Sequence, residues 1–413
     1  MKFNAPERLD NGIEVTVNSL PNLHYVGVAV GVRYGAIYED MRINGSAHFL
    51  EHMLFEGTKT KGPGEIDRLI RENGFDHNAF TDEEVVLYYM LTPRKNPENA
   101  IALLSDMMQN SVLDPKEVEH QRGAVTNELL GRQDEPWTFL RDVSQPIIFE
   151  GQAAGRLGAG TPETVSKITR EDLMDIYQKN YTPKNISLSV YGAIKPERVM
   201  QLSQKHFGDF QRPYREVEIP DSDGPSEAKS IALKKSGISQ VKYGLCFGFP
   251  GSRKILSSNP KDFASIDLLV DFLDQRIRDS VRGKLGVSDV TDAACRLGYT
   301  FSAVYLLGMS NPKKIGAIQS IIESEVDKVR NGEIDQANLA RTKEKYLSEK
   351  ESSLDDVLES AVDSAFWQAV HRKQLYDTYQ LARDTSAEDL ARVAGVYLDH
   401  KKSVSLTLEP EAK

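Results

Sequence analysis

The stretch that organises the whole chain is residues 47–55, which read Ala-His-Phe-Leu-Glu-His-Met-Leu-Phe. If this segment is helical, His48, Glu51 and His52 lie at positions i, i+3 and i+4 and project from one face. The apolar residues between them face other directions and can bury the helix. Three ionisable groups on an otherwise apolar helix are costly unless they are paired or bind a metal.

This pattern has two interpretations. Imidazoles one helical turn apart can bind a single Zn²⁺, with the Glu51 carboxylate beside the open coordination position, in the H-x-x-E-H order of inverted zincins. The alternative is a chance pairing, in which one histidine is an ordinary core residue with its hydrogen bonds satisfied. The metal interpretation is favoured because the chain has only 8 histidines and two of them lie here.

Length and composition limit the remaining possibilities. A chain of 413 residues is expected to form two domains. With 40% hydrophobic and 27% charged residues it is globular in composition, and no apolar run is long enough to span a membrane. Its two cysteines make no disulfide framework and its first residues lack a secretion signal, so we expect a cytoplasmic protein. The net charge of −10 argues against nucleic acid as a partner.

Periodicity predicts strands and helices in both halves of the chain. In the first half, strands are predicted at 12–17, 24–32, 75–80, 85–91 and 186–191. Helices are predicted around the motif and at 65–72, 96–109, 115–132, 137–149 and from residue 169 onward. Asn-Gly-Ser at 44–46 is predicted to supply a turn and an N-cap for the motif helix.

The pattern restarts after an irregular segment. Residues 213–230 are rich in prolines and acids and are predicted to link a first domain, 1–212, to a second, 231–413. In the second half, strands are predicted at 241–249 and 299–307, and helices at 261–282, 312–330 and through much of 334–382.

The ends of the two halves repeat a helix followed by a closing strand. Ile-Ser-Leu-Ser-Val at 186–190 is matched by Val-Ser-Leu-Thr-Leu at 404–408. The offsets are 217, 216 and 218 residues for Glu171 and Glu388, Tyr181 and Tyr397, and residues 186 and 404. A nearly constant offset favours a duplicated α+β unit, although a helix before a final strand is also a common ending.

Two histidines do not complete a catalytic zinc site, for which three protein ligands are usual. Three acids of the predicted helix at 115–132 are candidates, namely Glu117, Glu119 and Glu128. Glu128 is favoured because apolar residues surround it, so that the helix can be buried with this carboxylate inward. Glu117 and Glu119 lie at the polar start of the helix, where the helix dipole favours acids.

These motifs together resemble the M16 metallopeptidase family, which includes pitrilysin, insulin-degrading enzyme and the mitochondrial processing peptidase. The resemblance is carried by H-x-x-E-H, by a helical glutamate 76 positions after His52, and by Asn-Ala-Phe-Thr at 78–81 and Tyr-Thr-Pro-Lys-Asn at 181–185. It is dense in the first half and loose in the second, and the length fits the half-size members. It implies an α+β fold of two similar domains, each a mainly antiparallel sheet packed with helices.

The resemblance also implies a site and a reaction. Zn²⁺ would be held by His48, His52 and Glu128, with Glu51 as the general base. Zinc would lower the pKa of a water to about 7 and polarise the scissile carbonyl, and Glu51 would pass the water's proton to the leaving amine. The reaction would be endopeptidase cleavage of short or unfolded peptides in a chamber formed by two half-subunits.

The resemblance assigns a substrate strand as well. This edge strand would bind the peptide backbone by extending the sheet. Without the family, an ordinary hairpin strand is the favoured interpretation. The implied substrate-binding residues are Asn78, Ala79, Phe80 and Thr81.

Two positions depart from the pattern of active family members. Those members carry a second glutamate seven residues before the zinc glutamate, where this chain has Gln121. An amide can still hydrogen-bond a ligand but removes one negative charge, so we expect retained zinc binding with altered activity. Active homodimers also carry Arg and Tyr in R-x-x-x-G-x-x-Y, which bind substrate and stabilise the oxyanion. Here Arg282 matches, whereas the tyrosine position holds Asp289, which cannot donate a hydrogen bond while ionised.

These departures suggest a division of labour. We hypothesise that the chain is the zinc-bearing subunit of a heterodimer, whose related M16-type partner supplies the Arg/Tyr pair. The rival hypothesis is a homodimer with weak or narrowed activity. A non-catalytic core or assembly subunit derived from an M16 peptidase is the alternative class. Such subunits tend to lose zinc ligands, and all of the expected ligands are present here.

Overall fold

The computed structural model describes residues 5–286, 290–371 and 378–411. Each half of the chain builds one β-sheet. The strands of the first half are Glu7–Arg8 (β1), Glu14–Ser19 (β2), Tyr25–Val32 (β3), Asp76–Thr81 (β4), Val86–Pro93 (β5) and Ile186–Gly192 (β6). Those of the second half are Lys229–Lys235 (β7), Val241–Pro250 (β8), Thr291–Leu297 (β9), Phe301–Ser310 (β10) and Ser403–Pro410 (β11).

Helices connect these strands. In the first half they are Ser46–Met53 (α1), Glu65–Asn73 (α2), Pro97–Asn110 (α3), Pro115–Asp134 (α4), Pro136–Ile148 (α5), Pro162–Val165 (α6), Arg170–Asn180 (α7) and Pro196–Phe207 (α8). In the second half they are Ser252–Ser258 (α9), Pro260–Leu285 (α10), Ile315–Arg330 (α11), Gln336–Asp355 (α12), Val357–His371 (α13), Thr378–Arg383 (α14) and Ala387–Tyr397 (α15). None of the described helices has both the length and the apolarity needed to cross a lipid bilayer.

The two sheets share one strand order. The first runs β1-β2-β6-β3-β5-β4 and the second β7-β11-β8-β10-β9, so β7 takes the place of β2 and β9 the place of β4. In each sheet a single pair is parallel, β2 with β6 and β7 with β11, and the other pairs are antiparallel. This confirms the predicted α+β class with two similar, mainly antiparallel units, and the predicted closing strands are β6 and β11.

The halves exchange helices. Helix α13 belongs to the second half by sequence but packs on β3, β5 and β6 of the first sheet. Helix α5 belongs to the first half but packs on β8 and β11 of the second sheet, where Phe149, just after it, meets the Phe301 ring at 5.1 Å. One face of each sheet is therefore covered by the other half. The division into domains 1–212 and 231–413 stays a prediction.

Several elements were not indicated by periodicity. Helix α8 buries Val199, Leu202, Ser203 and Phe207, a spacing that could have predicted it. Strand β9 has a mixed sequence with no alternation. Strand β7 begins at Lys229, so the last two residues of the predicted linker, 229 and 230, lie in a strand. The helical prediction over 334–382 corresponds to α12, α13 and α14, apart from residues 372–377, which lie outside the described residues.

Candidate metal centre

Helix α1, which carries the motif, begins on a buried carboxylate. Gly45 precedes the first helical residue in a left-handed conformation and its position offers no side-chain cap. The cap comes instead from Glu39, whose Oε1 accepts from the Ala47 N–H at 2.6 Å and whose Oε2 accepts from the Gly45 N–H at 2.7 Å. The Ser46 hydroxyl also donates to Glu39 at 3.0 Å. The predicted cap at 44–46 is therefore wrong, because an acid upstream in the chain satisfies the free N–H groups.

Helices α1 and α4 bring the three predicted metal ligands together. Val125 and Leu129 bury one face of α4 against the core, which leaves Glu128 directed toward α1. His48 Nε2 lies 3.4 Å from Glu128 Oε1, and His52 Nε2 lies 3.4 Å from Glu128 Oε2. Within the described part of the chain, this is the group of three ligand-type side chains close enough to share one metal ion.

The separations are compatible with a shared tetrahedral ion. Two ligands at about 2.0–2.1 Å from a tetrahedral zinc lie about 3.3 Å apart, close to both observed distances. The neighbouring imidazoles hold the pKa of Glu128 well below its usual range, with His48 contributing most, so this carboxylate is ionised and ready to bind a cation. The residues present therefore fit a zinc site.

Glu51 lies beside this group but is held separately. Its Oε2 accepts a hydrogen bond of 2.6 Å from the Thr81 hydroxyl at the end of β4. Burial raises the pKa of Glu51 above the usual carboxyl range, while His48, Thr81 and His52 oppose that shift. A carboxyl group whose pKa is raised toward neutrality is suited to accept and return a proton.

The site opens into a cavity of about 360 Å³. It is lined by His48, Glu51, His52, Asn78, Ala79, Phe80, Thr81, Glu83, Glu128, Arg132, Asp142, Leu157, Gly158, Ala159 and Gly160. The loop 157–160 packs closely on the start of α1, since a Cβ on Gly45 would lie 2.6 Å from the Ala159 carbonyl oxygen. Arg132, Asp142, Glu83 and this loop were not singled out in the sequence, because their approach depends on the tertiary fold.

The predicted substrate strand is β4, at one edge of the first sheet. Among the described strands it pairs only with β5, so its other edge is open. Exposure alternates along it, with Asn78 and Phe80 more exposed than Ala79 and Thr81. Asn78, Ala79, Phe80 and Thr81 all line the cavity that holds the histidines.

The remaining predicted residues are placed differently. Gln121 lies on α4 seven residues before Glu128, and its Oε1 is 3.3 Å from His52 Nδ1. Arg282 is exposed in the last turn of α10 and does not line the cavity. Asp289 lies outside the described residues. The described residues that line the cavity all come from the first half of the chain.

Two protein-family models match the chain. The model of Insulinase (Peptidase family M16) matches residues 14–157, and that of the Peptidase M16 inactive domain matches residues 167–346. The chain belongs to peptidase family M16. The first matched range holds β2 to β5 of the first sheet, and the second holds β6 of that sheet together with β7 to β10 of the other.

Relatives of this M16 peptidase include subunits of a processing enzyme. The chain is 31% identical to the mitochondrial-processing peptidase subunit beta of Saccharomyces cerevisiae over 218 residues, which are 53% of this chain and 47% of the relative. The subunit beta of Dictyostelium discoideum is 34% identical over 207 residues, 49% of this chain and 43% of the relative. The matches thus span about half the length of these curated relatives.

Solved structures share the fold. A protease from Helicobacter pylori superposes with a TM-score of 0.90 at 24% identity, covering 99% of both chains. The periplasmic protease PqqL of Escherichia coli gives a TM-score of 0.77 at 16% identity, with 99% of this chain matching 48% of that one. At these identities the likeness concerns the architecture alone.

Proposed function

We propose that this M16 family member is a zinc-dependent endopeptidase subunit that cleaves short or unfolded peptides. The observation that carries the proposal is the meeting of His48, His52 and Glu128, whose ligand atoms lie within 4.8 Å of one another, with Glu51 alongside and an open sheet edge next to them. Membership of a peptidase family and similarity to processing-peptidase subunits support it.

His48, His52 and Glu128 would hold the zinc ion. When bound there, Zn²⁺ would make a water acidic enough to react near pH 7 and would polarise a peptide carbonyl. Glu51 accepts the proton of the attacking water and returns it to the leaving amine. The Thr81 hydroxyl keeps one oxygen of Glu51 engaged, so the other oxygen is the one directed to the proton transfer.

Strand β4 would bind the substrate. An extended peptide paired along the open edge of β4 gains backbone hydrogen bonds without any particular side chain. Because β4 ends at Thr81, which contacts Glu51, such a peptide would run past the base and the metal ligands. This arrangement favours unfolded segments, since a folded chain cannot offer a free strand.

A second M16-type subunit would complete the chamber. The described lining of the cavity contains one arginine, Arg132, and it comes from the first half. Arg132 lies within 3.4 Å of Asp142 and is thereby engaged. Arg282 is not part of this lining, which supports our proposal that a partner subunit supplies the Arg/Tyr pair to the peptide.

The test begins with metal content and one substitution. The purified chain should contain about one zinc per molecule, and Glu51→Gln should retain it, while its complex with the partner subunit should hydrolyse an unstructured peptide about 10²-fold or more slowly than the parent complex. Glu117→Gln, at the start of α4, is the matched control and should keep both properties. Unchanged hydrolysis by Glu51→Gln would refute the role of Glu51. Robust zinc-dependent cleavage by the purified chain alone would exclude the heterodimer.

A further inference from the structure

Gln121 forms a bridge between a histidine and an acid. Its side-chain oxygen Oε1 lies 3.3 Å from His52 Nδ1, and its side-chain nitrogen Nε2 donates to Glu56 Oε1 at 2.5 Å. Glu56 stands in the turn that follows α1, four residues after His52, and is half-buried. The bridge therefore connects the end of the motif helix to the middle of α4.

The direction of each hydrogen bond in this bridge follows from the chemistry of the groups. His52 faces Glu128 through Nε2, so a metal bound there requires the ring proton on Nδ1. Nδ1–H needs an acceptor, which the amide oxygen of Gln121 supplies. The reversed amide would direct NH₂ at Nδ1–H, and the carboxylate of Glu56 disfavours this reversal because it accepts only from NH₂.

We propose that Glu56 is a positioning residue for the metal site, acting on His52 through Gln121. The inference rests on the proposed zinc function and deepens it. The carboxylate fixes the orientation of the amide, the amide oxygen fixes the Nδ1–H form of the imidazole, and that form leaves Nε2 free to bind the ion. Glu56 thus restores, one residue farther away, the negative charge that Gln121 lacks.

The two imidazoles, His48 and His52, differ in their hydrogen bonding and exposure. His48 Nδ1 is buried without a hydrogen-bond partner among the described residues. His52 is the more exposed ring, with a side-chain exposure of 24% against 9% for His48. Packing holds His48 in place, whereas His52 relies on Gln121 and Glu56 for its orientation.

The affinity for zinc alone tests the proposal, measured by competition with a chelator on the full chain. Glu56→Gln should weaken zinc binding about tenfold, the lower end of the range typical for outer-shell partners. Glu119→Gln removes the same charge from the start of α4 at an exposed site paired with Arg122, and it should bind zinc as the parent chain does. The exchange Glu56→Gln with Gln121→Glu keeps one carboxylate and one amide, and it should restore affinity to within about threefold of the parent.

A second readout distinguishes orientation from folding. In the zinc-loaded protein, the Nδ1–H proton signal of His52, assigned with His52→Gln, should exchange slowly with water in the parent chain and faster in Glu56→Gln. Equal zinc affinity and equal His52 signals in Glu56→Gln and the parent would overturn the proposal while leaving the zinc function intact. A parent chain that binds no zinc would overturn both.

Discussion

At the scale of single residues, a hydrogen bond joins the proposed base, Glu51, to the proposed substrate strand, β4. Glu51 lies on α1, whereas the hydroxyl that holds it belongs to Thr81 on β4. A peptide paired with β4 would therefore lie on the same element that orients the base. Alignment of reacting groups is worth large factors in rate, because a displacement of about 1 Å can cost about 10²-fold.

Removal of the Thr81 hydroxyl should reduce catalysis without removing metal. We expect Thr81→Val to lower kcat for an unstructured peptide by about tenfold to a hundredfold, since Glu51 loses its 2.6 Å hydrogen bond. Zinc content should stay near one per chain. Thr81→Ser keeps a hydroxyl at the same place and should retain most of the activity. Equal rates for the valine and serine variants would contradict this role.

The buried imidazole of His371 is expected to make the stability of the fold depend on pH. It is buried near the end of α13, with Nδ1 2.9 Å from the Ser252 hydroxyl and its ring 4.1 Å from that of Trp367. Burial, with help from the charges of Arg33 and Arg296, lowers the pKa of His371 to about 3. The folded protein therefore keeps this imidazole neutral at pH values where the unfolded chain binds a proton.

Stability should fall as the pH drops below about 6.5, the ordinary pKa of histidine. The unfolded chain then binds a proton at residue 371, whereas the imidazole stays neutral in the folded chain, so the free energy of unfolding decreases. His371→Gln should make this decrease shallower between pH 6.5 and 5, measured by urea denaturation across that window. His120→Gln, at an exposed site on α4, is the control and should not change it. An unaltered slope in His371→Gln would refute the assignment.

At the scale of secondary-structure elements, small residues let α13 lie on the first sheet. A Cβ on Gly27 of β3 would come within 2.6 Å of the Val357 carbonyl oxygen at the start of α13. Across the same interface, the Ser187 hydroxyl donates to the Ala365 carbonyl at 2.9 Å, and Ser189 donates to Ser364 at 3.0 Å. Backbone and small side chains thus meet directly, with no room for a larger residue.

Enlargement of this contact should be destabilising. We expect Gly27→Ala to lower the free energy of unfolding by about 1–3 kcal/mol, because the added methyl group forces α13 away from β3. Gly395→Ala is the control, since a Cβ there has open space within α15, and it should stabilise by up to about 1 kcal/mol. Chemical denaturation of both variants measures the difference. Equal stability of the Gly27→Ala and parent proteins would mean that α13 does not pack as described.

Local patterns in the sequence predicted most elements, and long-range contacts explain what they did not. The motif helix and its partner at 115–132 follow from apolar spacing, which neighbouring residues alone determine. The Glu39 cap depends on a reversal of the chain before α1, which no short pattern reports. The amphipathic pattern of α5 predicts a buried face but not that this face covers a sheet about 100 residues later. No pattern in the sequence indicated a role for Glu56, because that role depends on its contact with Gln121 in the folded chain.

At the scale of the whole molecule, Arg296 joins the two halves beside the site. It extends from β9 to the turn after β4, where both its terminal nitrogens donate to Asp82 at 2.5 Å. Its Nε lies 3.1 Å from Glu83, and Glu84 in turn accepts from the Tyr299 and Thr300 N–H groups. The turn that ends the substrate strand is thus held by the second half.

Loss of this arginine should be costly. We expect Arg296→Gln to lower the free energy of unfolding by about 3 kcal/mol or more, because Asp82 and Glu83 would then lie in a mostly buried place without the cation that pairs with them. Arg68→Gln, which breaks exposed ion pairs on α2, should change the free energy of unfolding much less. Urea denaturation at pH 7 measures both. Similar losses for the two variants would show that the Arg296 cluster adds nothing beyond a surface pair.

The second half keeps the layout of the metal site but not its chemistry. By sheet order β9 corresponds to β4, and α10 and α12 pack together as α1 and α4 do. At this junction Asp267 accepts from the Tyr346 hydroxyl at 2.6 Å and from the Cys295 thiol at 3.3 Å. An acid from one helix is again held by the edge strand, but no imidazole stands beside it among these contacts. One half therefore carries the ligands and the other a hydrogen-bonded core.

Because α5 and α13 each pack on the sheet of the other half, the two halves cannot separate unless these helices unpack. The stretch 215–218 between them is exposed and is a natural place for a protease to cut. A single cut there would break the covalent connection, but a helix of each fragment would still pack on the sheet of the other. The nicked protein should migrate as one particle on a native gel and fall into two pieces only in denaturant. The exchanged helices, more than the peptide that connects the halves, therefore keep the molecule in one piece.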